Sequence, residues 1–173
     1  ATVPVHYQLR PRKWQIESLD QLDDSIERHH EGLSPEELDV LKEKASSPGK
    51  TFMLNPERLS QISKDIVEHY TEYIEPNGFK AQIVAYSREA CVVIKNHIDK
   101  LKGEDYSDVV FSGGQNDDPL MIKYHKSKQQ IKDCVNLFKN KDSELKFIIV
   151  QNMLLTGFDA PVEQVMYLDR PLK

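Results

Sequence analysis

Apolar residues recur along the chain in three different rhythms. Residues 2–9, TVPVHYQL, alternate apolar and polar side chains, the period of a strand with one buried face. Residues 12–31 place Ile16, Leu19, Leu22 and Ile26 at helical spacing. A second helix should begin at Ser34, where SPEE supplies an N-cap, a Pro at the first helical position and a Glu three residues on. Leu38, Leu41 and Ala45 continue its apolar side. Both helices are acidic and only weakly apolar, which suits a peripheral hairpin better than sheet cover. After the break SSPGKT, NPER offers Asn55 as a cap with Pro56 behind it. Leu59, Ile62, Ile66, Tyr70, Tyr73 and Ile74 then form a long stripe that ends near Pro76-Asn77-Gly78.

From there strand and helix alternate. AQIVAYS (81–87), SDVVFS (107–112), KFIIVQ (146–151) and QVMYLD (164–169) read as strands. Between them lie a helix with Cys91, Ile94, Ile98 and Leu101 on one face and another with Ile131, Cys134, Val135 and Phe138. Near-continuous apolar strands alternating with helices imply a mainly parallel, doubly wound α/β sheet with helices on both faces. The expected organisation is a leading strand over 1–11, an acidic helical insertion over 12–50 and the α/β body over 51–173.

Composition adds limits. The 173 residues, 39% hydrophobic and 29% charged, suffice for one domain with a core. No apolar run approaches the roughly 20 residues of a membrane span. ATVPVHYQLRPRK has no signal-peptide layout, and the missing initiator Met fits a processed or excised piece. Cys91 and Cys134 have no disulfide-framework or metal-ligand spacing, so they are expected as reduced core thiols in a cytoplasmic setting. The net charge of −5 hides an asymmetry. Residues 15–44 hold ten acids against Arg28, Lys42 and Lys44, whereas residues 121–141 hold six lysines against Asp133 alone. Phosphate neutralisation is local, so one basic face is enough to meet nucleic acid; a lysine-rich solvated helix would look the same.

Two stretches carry candidate chemistry and one misleads. GKT at 49–51 suggests a phosphate loop, but that motif needs a Gly where Lys44 stands, and a strand before it. A Pro-Gly turn accounts for it better. MLLTGFDAP, 153–161, has the better context, since ligands of open parallel sheets bind outside the carboxyl ends of strands. Gly157 would let a backbone approach a ligand or take positive φ. Asp159 could accept from vicinal hydroxyls and Thr156 could donate to a phosphate. Alternatively, Asp159 caps the next turn, stiffened by Pro161. At the end of AQIVAYS, Ser87 and Arg88 put a hydroxyl and a guanidinium at a helix N-terminus, a corner suited to phosphate. The plainer alternative is Ser87 as an N-cap with Arg88 in solvent.

Taken in order, QIVAYSREA, VVFSGG, FKNKDSELKFIIVQNMLLTGFDAP and VMYLDRPLK resemble the second RecA-like motor domain of superfamily 2 helicases. They resemble more closely the restriction (R) subunit of bacterial Type I restriction–modification enzymes, essentially over the whole chain, with 12–50 matching loosely. The resemblance implies a RecA-like fold and a part in an ATP-dependent DNA translocase and endonuclease. Gly157 and Asp159 would serve the nucleotide, with Thr156 coupling it to the DNA backbone. Tyr86, Ser87 and Arg88, with the loop Ser112-Gly113-Gly114, would lie beside the nucleic acid. ATP and Mg²⁺ are the implied cofactors. Double-stranded DNA, the first RecA-like domain of the same subunit, and the methyltransferase and specificity subunits are the implied partners; no membrane is implied. No catalytic or metal-binding residue is implied within this stretch; where many members of the resembled family carry an acidic residue or Ser before MLLTG, this chain has Asn152, so no charged role is assigned there. The alternatives are another superfamily 2 helicase or remodeller, or a non-catalytic doubly wound interaction domain whose acidic hairpin, 15–44, binds the partner.

Overall fold

The computed structural model describes residues 4–10, 34–37, 39, 52–114, 117 and 119–170. The expected helix over 12–31, most of the second helix of the hairpin and the GKT turn fall outside these residues. What is described of the second helix begins as its sequence requires. Ser34 Oγ accepts the Glu37 N–H, and the Glu37 carboxylate accepts the Ser34 N–H.

Helix α1, Pro56–His69, is capped by Asn55, whose side chain accepts the Arg58 N–H at 2.9 Å. Leu59, Ile66 and Val67 bury its apolar side. The helix then widens into a π-turn, Tyr70–Ile74, and closes through a 3₁₀ turn, Glu75–Asn77, onto Gly78 at φ +73°. The π-turn resets the helical phase. Tyr70 and Ile74 stay buried, but Tyr73, expected on the same stripe, is 56% exposed.

The body is a parallel four-stranded sheet: β1 (Lys80–Ala85), β2 (Ser107–Val110), β3 (Phe147–Val150) and β4 (Glu163–Asp169), in spatial order β2-β3-β1-β4. In register, Ile83 lies between Ile149 and Tyr167. Every residue of the central β1 and β3 is buried, hence their unbroken apolar runs. One face carries Ile83, Ile149, Val109 and Tyr167 beneath α1, α2 (Arg88–Lys102) and the single turn α3 (Pro119–Ile122). The other carries Val84, Val110, Ile148 and Val150 beneath α4 (Lys128–Lys139). Helices thus cover both faces of an all-parallel α/β sheet, as the alternating pattern requires, and the arrangement is consistent with a RecA-like fold. Cys91 and Cys134 are buried free thiols. Leu101, expected on the buried side of α2, is half exposed in the helix's last turn.

The leading strand does not form over its described residues. Residues 4–10 have no ladder partner, and Val5, Tyr7 and Leu9 are all exposed. Alternation supplies a face but no hydrogen-bonding edge, and the segment is held instead by Arg10 on Asp65, 2.8 Å away in α1.

Two polar ties brace the sheet. The Lys80 ammonium, at the amino end of β1, donates to Asn140 O at 2.6 Å and Ser143 Oγ at 2.7 Å. At the other end Asp169 accepts both terminal nitrogens of Arg58.

Candidate functional site

Because all four strands run the same way, their carboxyl ends form one rim, and the loops leaving it are where sequence-distant residues meet. β1 gives Ser87, whose extended backbone (φ −144°, ψ 172°) and hydroxyl cap α2 by accepting the Ala90 N–H at 3.2 Å. Arg88 follows as the first helical residue. Though part-exposed, it is not free in solvent: Nη1 donates to Ser112 O at 3.1 Å and to Asp117 Oδ2 at 2.6 Å, bridging β1 to the loop after β2.

Asp117 Oδ2 also accepts the Gly114 N–H at 2.7 Å and His125 Nε2 at 2.8 Å, so the imidazole carries its proton on Nε2. Burial alone would push the Asp117 carboxyl up, but donation from Arg88, Gly114 and His125 outweighs it and brings it down to about 2. Ser112 is exposed, and its hydroxyl donates to Met153 Sδ at 3.4 Å. Ser87, Arg88, Ser112 and Gly113 are therefore gathered in one place.

The segment after β3 behaves differently. A parallel return from β3 to β4 is usually wound through a helix; here residues 151–162 make it without one. At the rim, Arg170 Nη1 donates to Gln151 O and Asn152 Oδ1, each at 3.1 Å. The chain then passes over the α4 side of the sheet, where Met153, Leu154, Leu155, Phe158 and Ala160 pack on the second core. Buried Gln82 donates to Leu154 O at 3.2 Å. Leu154 stands at φ +59°, a strain of about 1 kcal/mol or more for a residue with a Cβ. Phe158 lies against Phe138, with Lys139 over its ring.

Thr156, Gly157 and Asp159 flank that anchored Phe158, and all three are exposed. Gly157 has φ +68°, and a Cβ there would meet nothing within 4 Å. Asp159 makes no hydrogen bond among the described residues, so the capping alternative is not what holds it. No hydrogen bond among the described residues joins this trio to the rim group. The sequence thus named two places, and the structure keeps them as two: an ion-paired cluster at the rim and an open stretch on the crossing loop.

Asp117, His125 and Arg170 were not singled out from the sequence. QNDDP reads only as a polar loop, and nothing in its spacing marks which acid turns inward. Among the described residues, no group of three or more His, Cys, Asp or Glu is placed to hold a metal ion, and no helix is long and apolar enough to cross a membrane.

A family model described as Type I restriction enzyme subunit R domain 3 matches residues 104–173. The Type I restriction enzyme HindI endonuclease subunit of Haemophilus influenzae is 34% identical over the whole chain. A provisionally named type I restriction enzyme MjaIXP endonuclease subunit of Methanocaldococcus jannaschii is 33% identical over 99% of it. The chain spans only 16% of the length of each of these relatives.

Proposed function

The chain belongs to the R subunits of Type I restriction enzymes, and from that premise we propose that it forms the second of two RecA-like motor domains in an ATP-dependent DNA translocase. The observation that carries this reading is the stretch Thr156–Asp159. In a loop otherwise tied down by Gln82, Arg170 and Phe158, it alone offers a hydroxyl, a glycine with open space beside it and an exposed carboxylate. Those groups suit a ribose and a phosphate approaching from a partner domain. Gly157 would admit the ligand, Asp159 would accept its vicinal hydroxyls and Thr156 would donate to a phosphate oxygen. Bound ATP with Mg²⁺ would supply the hydrolysable anhydride and its counter-charge. This chain's own part is to bind, orient and report.

The rim would face duplex DNA. Ser87, Arg88, Ser112 and Gly113 present hydroxyls, backbone and one cation, groups that grip phosphates without reading bases. Contacts that change between an open and a closed pair of domains can do work, because a ligand held equally in both states shifts neither. The first RecA-like domain would complete the nucleotide site. Cleavage, sequence recognition and the methyltransferase and specificity subunits belong to the assembled enzyme.

The test is Asp159→Ala in the full-length subunit, assembled with its partners. The expected result is a folded enzyme whose ATP-driven translocation falls at least about tenfold, the effect of losing about 1.4 kcal/mol of differential binding. Unchanged ATPase and translocation rates refute the assignment.

A further inference from the structure

Three donors from three separate segments meet on one oxygen at the rim. Arg88 Nη1, the Gly114 N–H and His125 Nε2 lie 2.6, 2.7 and 2.8 Å from Asp117 Oδ2. A guanidinium, a backbone N–H and an imidazole N–H converging on a single oxyanion are a donor set suited to a phosphate oxygen. The approach is close enough that any larger residue would push the His125 ring and the Asp117 carboxylate aside. A Cβ on Gly113 would stand 3.0 Å from the His125 ring, and one on Gly114 2.9 Å from Asp117 Oδ1. Burial is unequal in a telling way. The Asp117 side chain is 7% exposed, while those of Arg88 and His125 are 29% and 31% exposed. The carboxylate is thus the most covered of the three side chains, and parts of the Arg88 and His125 side chains reach solvent beside it.

We infer that this cradle is an anion site for a phosphate oxygen and that Asp117 is its built-in competitor, holding the donors together until a phosphate displaces the carboxylate. The cradle stands on its own geometry. That the incoming phosphate belongs to a nucleic-acid backbone rests on the reading of the rim given above. One anion exchanges for another, so the donors are never left without an acceptor, and the released carboxylate regains water. The site's affinity is then set by the fraction of time Asp117 is out. If that fraction is about 10%, removing the competitor's charge tightens binding about tenfold.

The test uses the ¹⁵N-labelled chain, following the Gly114 amide and the His125 ring signals by NMR while inorganic phosphate or, separately, a short DNA duplex is added. Asp117→Asn keeps the side chain's size and removes its charge. It is expected to bind inorganic phosphate about tenfold more tightly than the wild type. Adding Arg88→Gln should abolish the gain, and Asp105→Asn, an exposed acid in the turn before β2, should produce none. No gain in Asp117→Asn, an equal gain in Asp105→Asn, or a gain surviving Arg88→Gln overturns the inference. Should Asp117→Asn not fold, the wild type decides: phosphate that moves neither the Gly114 nor the His125 signal overturns it too. A duplex that gains as phosphate does supports both readings. Gain for phosphate with none for the duplex keeps the anion site and removes the nucleic-acid role of the rim.

Discussion

Replacing Gly157 by Ala separates what the fold needs at this position from what a ligand needs. Gly157 holds φ +68°, where an L-residue's Cβ crowds the following carbonyl, at a cost of about 1–2 kcal/mol. No further steric term applies, because a Cβ there meets no atom within 4 Å. The expected loss in unfolding free energy is therefore about 1 kcal/mol, read as a drop of roughly 0.3–1 M in the urea midpoint by far-UV circular dichroism. In the assembled enzyme the same methyl occupies the space through which the nucleotide would approach, and crowding of this kind costs about 1–3 kcal/mol. ATP-driven translocation should fall accordingly, about five- to a hundredfold. Gly157→Asn sharpens the comparison, since Asn tolerates the left-handed region and keeps the bulk. It should leave stability nearly untouched while impairing motion along DNA. A stability loss above about 3 kcal/mol in the Ala variant would show that the position is packed rather than open. Full activity in both variants would show that no ligand comes close to this backbone.

Lys80 gives a pH-dependent test of the fold. Burial, then the neighbouring Lys146, lowers its ammonium from 10.5 to about 8, against a smaller opposing effect of Asp142. Between those values the unfolded chain keeps a proton that the folded chain has released, so stability rises with pH across that window. The slope is at most about 1.4 kcal/mol per pH unit. The difference in urea stability between wild type and Lys80→Met should therefore grow in favour of the wild type from about pH 8 upward; a flat difference contradicts the burial argument. Asp169→Asn should cost about 3–5 kcal/mol in the same assay, because it strips the counter-charge from an Arg58 side chain only 11% exposed. A loss below about 1 kcal/mol would mean that water reaches the pair.

Features decided within a few residues could be read from the sequence. The caps at Ser34, Asn55 and Ser87 each pair a side chain with an N–H three residues on, and all three form as written. Strands buried on both faces announce themselves as FIIV does. What eluded the sequence depends on partners far along the chain. Arg88 meets an acid 29 residues away, in a loop with no periodicity to mark it. Tyr73 left its stripe because it falls inside a π-turn, whose wider winding turns it outward while Tyr70 and Ile74 at the turn's two ends stay buried. The alternation of residues 4–9 promised a face, but a strand also needs an edge to pair with. TGFDAP was placed correctly after a strand, yet the path of its loop across the sheet depends on Gln82 and Phe138, which no local pattern connects to it.

A crossing built from side-chain moorings rather than from a helix has no repeating internal ladder to keep it in one shape. Its conformation is set at a few fixed points, with slack between them. Such a segment can change its course between Leu154 and Phe158 without unravelling either strand it joins. A displacement of a few ångströms there would be felt at Gln82 in the middle of the sheet, so a ligand touching the loop would also be tugging on the strands beneath it.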